Sequence, residues 1–365
     1  MKKYLLSIAV LMAATISFTS CDDDDDCATC PTPVIPRYGV YVINEGNYSY
    51  QINGTLDFLG YDVAKGTYSM TDSIFEKVNG RSLGGTPNDA LIFSDSLLCI
   101  AVADEDRVEF VNTTTKKASA AVSIDSPREL AYESGSNYLY VSSYTGKVYK
   151  IDMTTRTIAG ESEKVGANLE GIAVAGNKLY VCNSCNPDYT YNKNVVELNA
   201  NTLAKNQDIE VVDNPVDVIN AGSAIFILSM GNYADKPATV QMLKDGQLST
   251  IGNATMMAYD SYKDQLYMIN APFGGDKEYK VYNLKNGQTT TFLTNPDIFS
   301  PYSLTVNPVN GDVFITSHTK NPDTGKADYT ADCKLYRYTS AGILLGTYDC
   351  GVNPGTIVCD SYYQK

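Results

Sequence analysis

A unit of roughly forty residues returns along this chain, and a repeat of that length built from strands leaves few folds open to it. Each copy opens on a polar or Pro-containing turn, runs through a short strand, and continues into an apolar strand that ends in an Asn-, Asp- or Ser-rich loop. The pattern is clearest at Pro87-Asn88-Asp89-Ala90-Leu91-Ile92-Phe93 followed by LLCIAVAD, and at Pro127-Arg128-Glu129-Leu130-Ala131-Tyr132 followed by NYLYVSSY. It is as plain at Leu169-Glu170-Gly171-Ile172-Ala173-Val174 followed by KLYVCNS, and recurs at Pro215 with AIFILSM, at Ala254 with QLYMIN and at Pro301 with DVFITSH. Each of these six copies has room for four strands.

The segment before them departs from the pattern. GVYVIN at 39–44 reads as the second strand of a unit whose first strand is missing, and Asn353-Pro354-Gly355-Thr356-Ile357-Val358-Cys359-Asp360 has the character of the missing piece. The sequence therefore predicts an all-β, seven-bladed β-propeller closed by a C-terminal strand joining the first blade. Such closure removes the exposed edges on which other chains could pair.

Residues 1–20 read as an export signal, with Lys2 and Lys3 ahead of a mostly apolar run from Tyr4 to Phe18 that is too short to span a membrane. FTSC then places small residues before Cys21, in the manner of a bacterial lipobox, which makes Cys21 the expected lipidation site. Acyl chains on that residue would hold the protein to a membrane, and nothing later in the chain could span one. Five adjacent carboxylates, Asp22 to Asp26, repel one another and stay solvated. They serve as a spacer or, by their resemblance to the tags of surface lipoproteins in gut anaerobes, as a surface-export signal. With Cys27, Cys30, Pro31, Pro33 and Pro36 they make residues 21–38 an acidic tag and stiff tether, and residues 39–365 the propeller.

The chain carries 28 Lys and Arg against 42 Asp and Glu, a net charge of −14. No basic cluster interrupts this balance, so a nucleic acid or an anionic lipid face is an unsuitable partner. A neutral, zwitterionic or cationic ligand fits better. Besides Cys21 there are eight thiols, Cys27, Cys30, Cys99, Cys182, Cys185, Cys333, Cys350 and Cys359, an even number that suits disulfides outside the cytoplasm without fixing their pairing. Cys182 and Cys185 have a metal or redox spacing, but two further zinc ligands are lacking nearby. A loop-closing disulfide or a pair of structural thiols is the expectation.

Propellers usually bind ligands on the face where the links entering each blade meet the loops between second and third strands. Here the loops carry amides, carboxylates and tyrosines: Asn44, Tyr48 and Tyr50; Asp104, Asp106 and Arg107; Tyr144; Asn183 and Tyr189; Asn232 and Tyr233; Asn270 and Phe273; and His318. The starts of the blades add Asn88, Arg128, Glu129, Glu170, Asp217 and Tyr302. Aromatic faces beside short polar groups suit a rigid ligand with apolar faces and a hydrogen-bonding rim. Asn, Asp, Gly and Ser also form turns whatever the function, and many of the 28 tyrosines must serve blade packing. Tyr48, Tyr144, Tyr189 and Tyr233, however, recur at corresponding positions of different blades.

Catalytic patterns are thin. The single His, His318, would have to carry any triad alone, no phosphate-binding glycine loop follows a strand into a helix, and no complete calcium loop is present. Acid pairs such as Asp104 and Asp106 are better read as solvated loop charge than as glycoside chemistry. The expectation is a binding protein with no catalytic residues, no metal and no cofactor.

The lipobox, the acidic tag, the absence of Trp and the run YVINEGNY opening the first blade together resemble the propeller lipoproteins of gut anaerobes called YncE-like or surface-layer-like, and among them the cobalamin-binding BtuG group. The resemblance covers essentially the whole chain after Cys21. It implies a lipid-anchored protein on the outer-membrane surface that binds cobalamin or a related corrinoid and passes it to a BtuB-type, TonB-dependent transporter. From the residues themselves two alternatives stay open: a glycan-binding or adhesive propeller, and an enzyme resembling streptogramin lyases with His318 as base.

Overall fold

The computed structural model describes residues 38–361 except Val63 and Asp95. They form seven four-stranded antiparallel sheets, each running in chain order except the first, whose innermost strand comes from the C-terminus. The molecule is a seven-bladed β-propeller. Blades two to seven begin with the strands Pro87–Phe93, Pro127–Tyr132, Asn168–Ala175, Pro215–Asn220, Met256–Asp260 and Ser300–Val306. These are the inner strands, and they coincide with the repeat read from the sequence.

Pro354–Ser361 is the inner strand of blade one. It pairs antiparallel with Tyr38–Asn44, with Tyr41 opposite Val358, Val42 opposite Ile357 and Ile43 opposite Thr356. Side chains seal the joint: Ser303 Oγ and Thr316 Oγ1 each donate to the Pro354 carbonyl at 2.9 Å, and Thr356 Oγ1 donates to the Asn88 carbonyl at 2.8 Å. The ring is closed at the place the sequence indicates.

Second strands read as unbroken apolar runs because both faces of a blade are covered by neighbours. Successive strand residues point to opposite faces. In blade two, Cys99 and Ala101 pack with Leu130, Leu139 and Val141 of blade three, whereas Leu98, Ile100 and Val102 pack with Tyr41, Ile43 and Leu56 of blade one. All five residues of that run are buried. Seven such interblade layers hold the ring together, so the core lies between blades rather than within any one.

Two local devices aim the inner strands. The residue before the leading proline takes a left-handed conformation in four blades, at Thr86 (φ 49°), Ser126 (φ 42°), Asn214 (φ 61°) and Asn353 (φ 52°). That turn swings the chain inward, at the expense of a backbone region L-residues seldom enter. The pairing register then shifts just after the lead residue, between Pro87 and Asp89, Pro127 and Leu130, Leu169 and Ile172, and Pro215 and Asp217. Irregularities of this kind re-aim the side chains they carry, and the ones here carry charge.

The cysteines within the described residues, Cys99, Cys182, Cys185, Cys333, Cys350 and Cys359, are free thiols. Cys182 is buried and Cys185 is half-buried on the same strand. They are the structural thiols of the two expected options, not a disulfide. The export signal, Cys21, the acidic run, Cys27 and Cys30 lie outside the described residues.

Candidate functional site

Antiparallel pairing puts the start of every inner strand and the end of every second strand at the same end of the ring, so one face collects both classes of loop. At its centre stand side chains from the starts of the inner strands. Arg128 reaches across to the next blade and holds Glu170 Oε2 through Nε and Nη2, each at 3.0 Å. Tyr144 donates its hydroxyl to the other oxygen of Glu170, and the Arg128 guanidinium lies 4.2 Å from the centre of the Tyr144 ring. Burial works against the Arg128 charge, and Glu170, Tyr144 and Glu129 together more than restore it.

Across the mouth, Tyr302 donates its hydroxyl to Glu45 Oε2 at 2.9 Å. Gly355 makes room for this pair: a Cβ there would stand 1.9 Å from Glu45 Oε1. Deeper, Asp89, Glu129 and Asp217 come from the register shifts of three blades. Asp89 Oδ2 accepts the Leu130 amide at 2.9 Å. Gly171, on the inner strand between those of Glu129 and Asp217, permits close approach, since a Cβ there would lie 2.7 Å from the Asp217 Cα.

Burial dominates the titration of these acids. It raises Glu45 to about 7 against the pull of the Tyr302 hydroxyl and the Arg128 charge. It raises Asp89 to about 7 and Asp217 to about 6, and lifts Glu129 well above the usual carboxylate range, with neighbouring carboxylates adding to the rise for Asp89 and Glu129. Near neutral pH the centre is therefore a mixture of protonated and ionised carboxyls. It offers hydrogen-bond donors as well as acceptors. Asn88 Oδ1, also at the start of an inner strand, is buried with no hydrogen-bond partner among the described residues.

Around this centre the loops raise aromatic rings into solvent. Tyr48 and Tyr50 stand on blade one, Tyr144 on blade three, Tyr189 and Tyr191 on blade four, Tyr233 on blade five, Phe273 on blade six and Tyr329 on blade seven, all exposed. Tyr262, on the opposite face, is the one exposed aromatic of the described residues that does not belong to the set. Tyr189 (φ 63°) and Tyr233 (φ 55°) are held in the left-handed region, a strained conformation for a bulky residue. Their loops enforce it: Tyr189 N donates to the Asn186 carbonyl at 2.9 Å, and Asn232 Oδ1 accepts the amides of Ala234 and Lys236. The Tyr191 and Tyr233 rings meet across the interblade gap at 5.9 Å.

Not every residue expected on this face is free to meet a ligand. Asn44 is 1% exposed, with its amide spent on Thr55 Oγ1 and Asp57 Oδ2. Asn183 is buried and bonded to Asn194. His318 is 3% exposed, bonded through Nε2 to Asn353 Oδ1 at 3.0 Å and packed between the rings of Tyr302 and Tyr329. Its burial lowers its pKa against the pull of the Asn353 hydrogen bond and so favours the neutral ring. Asp104 accepts from Thr86, Asp106 from the Ser126 amide, and Arg107 is bound to Glu105, Glu109 and the Leu83 carbonyl. Those three brace the loop of blade two, the blade without a raised ring, while Asn270 stays half-buried beside the loop that carries Phe273. Asp89, Glu45, Tyr191 and Tyr329 belong to the face although the sequence reading did not single them out. Asp89 could have been found, because it occupies the same place after proline as Glu129 and Asp217.

A family model described as "Domain of unknown function (DUF5074)" matches residues 38–340, most of the chain. The chain belongs to the DUF5074 family. No curated protein matches this DUF5074 chain. Among solved structures it is similar to a chain of "Kuenenia stuttgartiensis Hydrazine Synthase", with a TM-score of 0.58 and 16% identity over 74% of this chain and 89% of that one. At that identity the likeness speaks for the propeller fold alone. Among the described residues of the DUF5074 domain, no group of His, Cys, Asp and Glu is arranged to hold a metal ion.

Proposed function

We propose that this protein is a binding propeller, without catalytic activity, that captures cobalamin or a related corrinoid on its loop face and passes it to a BtuB-type outer-membrane transporter. One observation carries the reading: exposed aromatics from six blades ring a centre of mixed protonated and ionised carboxyls. A corrinoid is a wide, nearly flat ring with apolar faces and a rim of primary amides. Tyr faces suit the former, and groups that both donate and accept suit the latter. Seven loops held by rigid blades would bind it with little ordering cost. The YVINEGNY run and the lipoprotein start support the same reading through their resemblance to the BtuG group.

Titration of purified protein with cobalamin and with a glycan panel tests this reading. Tight corrinoid binding is expected; glycan binding in its place would favour the adhesive alternative, and turnover of a streptogramin the lyase alternative. Tyr→Ala at Tyr189 or Tyr233 should weaken corrinoid binding by roughly 1–4 kcal/mol where the ring makes contact, because binding energy concentrates in a few aromatic anchors. Fold stability should barely change. Asp152→Ala, at the end of a third strand, and Lys285→Ala, in the turn just after one, both on the opposite face, are the controls. Equal losses from controls and tyrosines would place the site elsewhere.

The proposed location has its own test. Cys21→Ala should release soluble protein, and neutralising Asp22 to Asp26 should leave a lipidated protein facing inward. Protease accessibility on intact cells reads both. Full exposure of the neutralised variant would reduce the acidic run to a spacer.

A further inference from the structure

The two outermost strands of blade seven, Cys333–Tyr338 and Leu344–Cys350, place Cys333 and Cys350 directly opposite each other at the end of their ladder. Both side chains enter the same interblade layer, with Val40, Val42, Phe314 and Ile357, so they point to the same face of the sheet. Directly opposed residues of antiparallel strands have Cα atoms about 4.5–5.5 Å apart. A disulfide spans about 4.4–6.8 Å. No other two described cysteines are paired in this way: Cys182 and Cys185 share a strand, Cys99 lies in blade two, and Cys359 sits in the inner strand of blade one.

We propose that Cys333 and Cys350 are a disulfide site, oxidised by exchange with a low-molecular-weight disulfide or with the disulfide of a thiol oxidoreductase while the chain folds. One cysteine thiolate attacks the oxidant, breaking its S–S bond and forming a mixed disulfide as the first oxidant thiol leaves. The second thiolate attacks the protein sulfur of that mixed disulfide. The Cys333–Cys350 bond forms, the second oxidant thiol leaves, and the two protons lost by the cysteines end on the two released thiols. Two electrons pass from protein to oxidant.

Timing follows from burial. In the folded protein both thiols are enclosed, Cys333 is 0% and Cys350 4% exposed, and the Cys333 thiol donates to the Ala331 carbonyl at 3.6 Å. Burial holds both well above the ordinary thiol range, so few thiolates form, and no oxidant can reach them. Exchange belongs to the stage before blade seven closes. Once made, the bond is shielded from reduction for the same reason. It would tie the outermost strand of the blade, an edge otherwise held by its ladder, the Lys334–Asp349 ion pair and the packing of Cys350 and Tyr348.

The test uses the full chain, denatured and reduced, then refolded either with oxidised and reduced glutathione or with excess dithiothreitol. Free thiols are blocked with iodoacetamide and the peptides are mapped. A linked peptide joining Cys333 to Cys350 is expected only from the glutathione sample. Free thiols at both positions, or linkage of either to Cys359 or to another cysteine, overturns the proposal. The oxidised protein should also melt several degrees above the reduced one, and the double variant Cys333→Ser, Cys350→Ser should melt alike under both conditions. A redox-dependent shift that persists in that variant counts equally against it.

Discussion

Truncation after Val352 is expected to leave a protein with no cooperative thermal transition. The cut removes Pro354–Ser361, and with it the inner partner of every residue from Tyr38 to Asn44, which keep only the pairing to Thr55–Asp62 on their outer side. A row of backbone donors and acceptors would then line the channel unpaired, each at a penalty of about 1–3 kcal/mol where water cannot replace the partner. Ile357, buried against Phe314 and Val42, would leave a gap between blades seven and one. The carbonyl of Pro354, on which Ser303 and Thr316 converge, and the Asn353 side chain that holds His318 would go too. These losses together exceed the roughly 5–15 kcal/mol by which a folded protein of ordinary stability persists. Circular dichroism against temperature, with limited proteolysis beside it, reads the outcome. Deletion of 362–365 leaves the whole strand and is the control. A truncated chain that melts like the parent would mean that the ring closes by some other contact.

The second large effect is an inverted dependence on pH. Glu45, Asp89 and Asp217 have folded pKa values of about 7, about 7 and about 6, all above the ordinary carboxylate range near 4, and Glu129 is raised in the same direction. Between about pH 4 and about pH 7 the folded state therefore holds more protons than the unfolded one. Stability from these groups is fully present below the unfolded pKa and is lost as pH rises through the folded values. Half-buried surface carboxylates with lowered values, such as Asp62 and Asp152, pull the other way, and their contribution falls away only at more acid pH. Wild-type protein is thus expected to melt higher at pH 5 than at pH 8. Asp89→Asn keeps an oxygen for the Leu130 amide but cannot ionise, so it should flatten the profile and raise the melting temperature at pH 8. With one pKa unit worth about 1.4 kcal/mol, the variant's gain there is on the order of a few kcal/mol. A melting temperature that rises steadily from pH 5 to pH 8 in the wild type would rule out the buried acids as the controlling groups.

The repeat, the blade number and the closing strand were legible because they rest on local signals: a polar or Pro-containing turn, an apolar run ending in a polar loop, and one unit lacking its first strand. The raised tyrosines were legible for a related reason. Tyr48, Tyr189 and Tyr233 each stand four residues after a second strand and Tyr144 directly after one, and a loop beyond a buried strand projects outward. What escaped notice depends on neighbours far away in the chain. Asn44 looks like a loop amide, yet Thr55 and Asp57 of the next strand and the backbone near Gly351 wall it in. His318 is enclosed by Tyr302, Tyr329 and Asn353, which three different segments supply. Asp89 became part of an acidic cluster only when the ring brought blades two, three and five around one axis.

Closure by the C-terminal strand also sets a time at which this protein can exist. Tyr38–Asn44 is among the first strands to be made, and its inner partner is the last. Blades two to seven can pair locally as they appear, but the seventh interblade layer must wait for a contact that spans nearly the whole chain, the slowest kind to form. Until then the strand of GVYVIN carries an open edge of apolar, β-branched residues, a hazard in any crowded compartment. A chain built this way cannot close by folding one blade at a time, and depends on staying unaggregated until Pro354–Ser361 is in place.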